Sequence, residues 1–435
     1  MTMRYRRALP CVVAALFALG ACTSANPGAD TSASGTATTH AEGDEHHDHD
    51  HGNSDENATE TGGARPRVAL SYDGGVLVVD TSDSSVVADL PIEGYSRLNP
   101  AGDGRHVLVS TTGGWAVLDA GTYTMPHGDH THSFVSDPQL SDVIIKGNEP
   151  GHVVYHAGRT STWADGEGKA TFFETDSLTG VDEADELHGL WEYEAAAPHH
   201  GVAVPLGDRS ALVSVGTEEG RTGAQYVVDG KVSAESNECP GLHGAEGLDD
   251  AAVAGCENGA LILRDGTFSK ATAPDEYGRI GNLRTAAGSP IAVGDYKTDP
   301  EGGIGLTQIS LINTTDATLR TVDTGSTYTW RGLARGFDGS ALVLGTDGAL
   351  RVINPETGEV TRSIPVMSEW QVPEEWQTAH PAIAEHEGFV YVTDPATNTL
   401  HTVNYTKGEV VSSTTLPKTP IEIAVATGEV PEEAK

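Results

Sequence analysis

From residue 65 to residue 427 the chain is an unbroken succession of short runs of Val, Leu, Ile, Tyr and Thr, interrupted by Asp-Gly, Gly-Gly and Asn-Gly pairs. Short runs of β-branched and aromatic residues favour strands, and those dipeptides favour tight turns. The pattern confines this part of the chain to an all-β fold, and nothing in it reads as a long amphipathic helix. Aligning segments in which a small-apolar strand leads into a turn and a second strand exposes a repeat. Its members start at Arg97, Phe134, Gly201, Gly244, Asn282, Gly332 and Pro381. Their spacings run from 37 to 67 residues, mostly 37 to 50, the length of one four-stranded propeller blade. Two remainders are left: strands across residues 68–90 with no first strand before them, and a lone strand at 421–426. Each completes the other. A blade made of both would close the ring and pair its exposed edges, so the expected architecture is a β-propeller of eight blades rather than seven. The Gly-His and Trp-Asp signature of WD40 repeats and the aspartate box of sialidase-like propellers are both absent.

The ends carry different information. Arg4, Arg6 and Arg7 precede an apolar run over residues 8–19, followed by Leu19-Gly20-Ala21-Cys22. These are the basic, apolar and small-residue regions of a secretion signal. The run is shorter than the roughly 20 residues that cross a bilayer, so residues 1–21 are expected to be removed. Cys22 directly after Leu-Gly-Ala resembles a bacterial lipobox, in which the thiol is acylated and becomes the new N-terminus. Residues 22–64 contain almost no large apolar side chain and cannot bury enough surface to offset their ordering entropy. They read as a disordered tether with a reach of about 35 Å, ahead of the propeller at 65–427 and a short tail at 428–435.

Cysteine usage agrees with export. Cys11 lies in the signal and Cys22 at the lipid site, leaving Cys239 and Cys256. A disulfide between them would close a loop of about 17 residues and contribute roughly 3 kcal/mol. As free thiols they would be soft metal ligands, but they lack the C-x-x-C pairing of structural zinc sites, so the disulfide is the expectation. The formal net charge of −37 excludes nucleic acid as a partner, because binding it depends on a basic footprint.

Two groups of histidines carry the chemistry. His40, His46, His47, His49 and His51 fall within twelve residues of the tether and alternate with Asp and Glu, offering nitrogen and oxygen ligands that suit Zn²⁺. Ordering the tether around a metal costs roughly 1–2 kcal/mol per residue, so its sites should be weak and exchange quickly. The second group comes from the repeat. Residues just before each innermost strand line one mouth of a propeller's channel, and that position reads Ser96, His132, His200, His243, Gly281, Arg331 and His380. Four of the seven are histidine, in a chain with 18 histidines among 435 residues. Imidazoles brought together repel when charged and desolvate one another when neutral, and a shared metal removes both penalties. His127, Asp129, His130, His199 and Glu246 flank these positions. Three or four imidazoles are expected as direct ligands, with Glu246 or Asp129 orienting a ring from behind; His130 could replace His132 as the direct ligand. His106, His152, His156, His386 and His401 read as hydrogen-bonded turn residues. Imidazole suits zinc, copper and nickel alike, so the residues alone do not rank them.

The tail and the channel histidines together resemble the AztD-type zinc metallochaperones. The resemblance is carried by the acidic His-rich N-terminal segment, the His-Gly-Asp-His-x-His element at 127–132, His-Gly-Val-Ala-Val-Pro at 200–205, and Cys239-Pro-Gly-Leu-His243-Gly followed by Gly255-Cys256-Glu257. It implies a β-propeller outside the cytoplasm that binds zinc and hands it to the solute-binding protein of a zinc ABC transporter, as a monomer and without catalysis. The lipobox departs from a freely diffusing periplasmic protein and suggests a version held by its lipid at the outer face of the cytoplasmic membrane. Two rivals stand beside this reading. A zinc-dependent propeller lyase or hydrolase would use an open zinc position to activate water, although no His-Glu-x-x-His or Gly-x-Ser-x-Gly element is present. A zinc-buffering scaffold would need no transfer at all.

Overall fold

In the computed structural model, residues 57–181 and 183–430 are described. The expected signal peptide, the lipid site at Cys22 and the tail histidines His46, His47, His49 and His51 lie outside them. No helix among the described residues is long and apolar enough to cross a membrane.

The described residues form eight four-stranded antiparallel sheets and one three-stranded sheet. The innermost strands are, in chain order, Leu98–Pro100, Pro150–His156, Ala203–Pro205, Ala245–Leu248, Leu283–Arg284, Leu333–Arg335, Ile383–His386 and Ile423–Ala426. From Pro150–His156 onward each touches the next, Ile423–Ala426 touches Leu98–Pro100, and Pro150–His156 reaches back to His106–Thr111 in that sheet. The result is a closed ring around a central channel. Closure works as the two sequence remainders imply. Ile423–Ala426 pairs antiparallel with Arg67–Tyr72, placing Arg67 opposite Ala426 and Leu70 opposite Ile423. A buried ion pair pins this seam: Arg331 Nη2 donates to Glu422 Oε1 at 2.7 Å, and the Tyr95 hydroxyl donates to the same oxygen at 2.8 Å.

Burial explains the strand chemistry. Strands Gly75–Asp80 and Gly114–Asp119 are buried at every position because each is covered by a neighbouring sheet on both faces. The outermost strands Val360–Pro365 and Glu409–Thr415 are largely exposed and polar. The core therefore lies between sheets. Val202, Val204 and Leu212 interlock with Ala252, Ala254 and Leu261, and Trp115 with Ala164 and Phe173. At roughly 25 cal/mol per Å² of apolar area, these contacts hold one sheet to the next without backbone pairing. Cys239 and Cys256 form the expected disulfide, fully buried, with Cα atoms 4.9 Å apart.

One expectation is overturned. Phe134 does not open a blade. The segment His130–Val135 pairs with Thr122–His127 as a hairpin inserted between the third and outermost strands of the sheet headed by Leu98–Pro100. Gln139–Lys146 is that sheet's outermost strand, and the next sheet begins at Pro150–His156. The inserted residues shifted the repeat, which is why one spacing reached 67. The hairpin also takes up residues expected in the tether, for Thr59–Thr61 adds to it as a third strand against His130–Val135.

Candidate metal centre

Three imidazoles meet at one mouth of the channel. His200 and His243 sit just before the innermost strands Ala203–Pro205 and Ala245–Leu248, and His152 lies within Pro150–His156. Their ring centroids are 4.9 to 5.0 Å apart, and one nitrogen of each lies within 4.8 Å of the others. The outward nitrogens are committed. His200 Nδ1 lies 2.6 Å from Asp165 Oδ2, and His243 Nδ1 lies 2.7 Å from the Gly281 carbonyl oxygen. Both partners are acceptors, so both Nδ1 atoms carry the proton. The two Nε2 lone pairs then face each other across 3.2 Å, an arrangement that repels unless a cation joins them. His152 Nε2 is shielded from solvent and has no hydrogen-bond partner.

Electrostatics keeps His152 and His243 unprotonated. Burial holds the His152 imidazole well below its ordinary pKa, reinforced by His243 and His200. Burial likewise pushes His243 down to about 3, with His200, Arg279 and Arg221 adding. Imidazole nitrogens that converge, with the tautomers of His200 and His243 set by Asp165 and Gly281, are what a borderline cation such as Zn²⁺ requires.

His127, His130 and His132 form a second group on the inserted hairpin, not at the channel position assigned to His132. His130 and His132 are two residues apart on one strand and so share a face, and His127 pairs directly opposite His130. Gly128, with φ 63°, occupies the first turn position, where a two-residue hairpin of this hand needs a positive φ. His130 Nε2 is 3.0 Å from His132 Nε2, Asp129 Oδ1 is 3.1 Å from His130 Nδ1, and Glu60 Oε1 is 2.6 Å from His132 Nδ1. Asp129 thus lies against the His130 ring in an exposed site.

The remaining candidates stand apart from both groups. His199 is buried and spends its ring on the Ala197 carbonyl and the Ser214 hydroxyl, both at 2.9 Å, while its own carbonyl accepts from Trp163 Nε1. His380 lies against the Thr378 carbonyl at 2.7 Å and Arg331 at 3.2 Å, and burial, then Arg331, lowers it to about 4. Glu246 faces the channel 3.9 Å from Arg284 and makes no contact with a histidine ring of the triad. His152, read from sequence as a turn residue, belongs to the triad instead. Its signal was hidden by the shifted repeat: once the third sheet starts at Pro150, His152 falls near the same mouth as His200 and His243.

The chain resembles zinc chaperone AztD. The curated AztD of Citrobacter koseri is 26% identical over 373 residues, covering 81% of this chain and 84% of that protein. Two solved structures of Citrobacter koseri AztD superpose with TM-scores of 0.73 and 0.71 at 24% and 23% identity, each covering 83% of this chain and 98% of theirs. Beyond AztD the likeness is one of fold alone: the dihydro-heme d1 dehydrogenase NirN matches with a TM-score of 0.54 at 12% identity, over 85% of this chain and 76% of that one. No protein-family model matches the chain. The AztD likeness expected from the His-Gly-Asp-His-x-His and Cys-Pro-Gly-Leu-His elements therefore extends over about four-fifths of the chain.

Glu246 supplies a pH test of the channel. Burial pushes its carboxyl up to about 7 against the pull of Arg284, so the folded state binds more protons than the unfolded state between about pH 4.5 and 7. Stability from this group is present below that window and lost as pH rises through it. Its side chain keeps 32% exposure to the channel, and water screens part of the effect. Unfolding by guanidinium should show Glu246→Gln gaining on the wild type by on the order of 1 kcal/mol from pH 4.5 to 7.5. A difference independent of pH contradicts this.

Proposed function

We propose that this protein is an extracytoplasmic zinc metallochaperone that holds one zinc ion between His152, His200 and His243 and passes it to the solute-binding protein of a zinc ABC transporter. The observation that carries the reading is the 3.2 Å approach of two Nε2 atoms whose rings are turned toward each other by Asp165 and Gly281. The likeness to zinc chaperone AztD supports the cargo and the role. Three imidazoles leave the fourth position of a tetrahedral zinc open, which favours transfer over permanent storage.

The hairpin histidines form an exposed, weaker site, and the tail histidines a third, faster one. Thr59–Thr61 anchors the chain eight residues after His51 on that hairpin. Zinc moves from loosely held to tightly held ligands or the reverse. Acylation of Cys22 keeps the protein at the outer face of the cytoplasmic membrane, where a transporter sits.

Two measurements test this. Competition with a chromophoric chelator should show the double variant His200→Ala/His243→Ala losing more than about 100-fold in tight zinc affinity, while His127→Ala/His130→Ala/His132→Ala keeps it; retained affinity in the first variant refutes the channel assignment. Cell fractionation should find the Cys22→Ser protein released from the membrane; equal membrane retention refutes the anchor.

A further inference from the structure

A second cavity, of about 520 Å³, opens over the histidine triad and is lined by Arg97, Arg279, Lys297, Trp330 and Trp376 together with His200 and His243. Its charge is out of character for the molecule. The chain has 63 acidic residues against 26 basic ones, yet among the described residues none of these three cations makes an ion pair. The Arg97 guanidinium lies 5.2 Å from the Trp330 ring and 5.9 Å from the Trp376 ring, and its Nε is buried without a hydrogen-bond partner. Arg279 and Lys297 stand directly opposite each other in an antiparallel bridge, their backbone groups exchanging two bonds of 2.9 Å. Like charges placed this way destabilise a sheet. Lys297 Nζ donates only to the Gly302 carbonyl.

Two carboxylates on the same wall, Asp165 and Asp295, offset part of this charge but form no ion pair with these cations among the described residues. Asp165 is held by His200 and the Gly201 amide. Asp295 accepts from the Gly281 and Asn282 amides and from the Asn282 side chain. Cations beside a metal site also disfavour the metal itself, unless an anion enters with it.

We infer that this cavity is an anion site for a carboxylate, which spans the unpaired cations and supplies the fourth ligand to a zinc ion on the triad, displacing a zinc-bound water. The inference rests on zinc binding at His152, His200 and His243. Aromatic faces beside guanidinium groups suit a planar carboxylate, and Arg97 and Arg279 can each donate two parallel bonds to it. The carboxylate is that of a free small acid. Metal and anion then bind with positive coupling, and each raises the other's affinity by the same factor.

The test is titration of the full-length, Co²⁺-loaded protein with sodium acetate at constant ionic strength, read by the visible d–d spectrum and by competition for cobalt. If free acids fill the site, acetate produces a saturable spectral change and tightens cobalt binding about tenfold. Arg279→Gln, on a half-buried side chain, weakens the response. No acetate response, or an undiminished one in Arg279→Gln, overturns the inference. A cobalt spectrum unchanged by His200→Ala/His243→Ala overturns both this inference and the triad reading, whereas cobalt on the triad without an acetate effect overturns this one alone.

Discussion

The antiparallel pairing of Ile423–Ala426 with Arg67–Tyr72 is the contact on which the rest of the molecule depends. Without it, two sheet edges are left open and the eight innermost strands have no reason to stay in a ring. With it, segments far apart in sequence are held at fixed angles around one channel. The seam is reinforced by Glu422, just before the closing strand, whose carboxylate takes hydrogen bonds from Arg331 and Tyr95. Such a buried pair is costly to desolvate and contributes little net stability. Its value is positional, because it fixes the sheet headed by Leu333–Arg335, the closing strand and the Tyr95 loop relative to one another.

Ring closure turns sequence spacing into proximity. His200 and His243 are 43 residues apart, yet each precedes the innermost strand of adjacent sheets, so their rings meet. The disulfide works at the same joint. Cys239 lies four residues before His243, and the Gly255 carbonyl next to Cys256 accepts the His243 amide at 3.1 Å. The site is thus built on rigid backbone, with Asp165 and Gly281 setting the tautomers. Rigidity lowers the entropic cost of capturing a metal compared with an unstructured histidine run.

Much of this was legible in the sequence. The strand-turn repeat and its two complementary remainders gave the fold class and the closing strand, and the position before each innermost strand found His200 and His243. The rest was hidden for one physical reason. The hairpin of Thr122–His127 and His130–Val135 is made of the same β-branched and turn residues as a blade, so it counted as one. That shift moved His132 into the channel and His152 out of it. His380 was misread differently: it does precede an innermost strand, but its ring turns to Thr378 and Arg331, and backbone position does not determine side-chain direction. Nor does spacing reveal Asp165 or the carbonyl of Gly281, which act through contacts 35 and 38 residues away.

The central claim is that three imidazoles from three neighbouring sheets share one zinc ion. Anomalous scattering at the zinc edge from crystals of the zinc-loaded protein tests it most directly. The account predicts a strong peak about 2.0–2.1 Å from one nitrogen each of His152, His200 and His243. Zinc found only on the His127, His130 and His132 hairpin, with the channel triad still metal-free at saturating zinc, would contradict it.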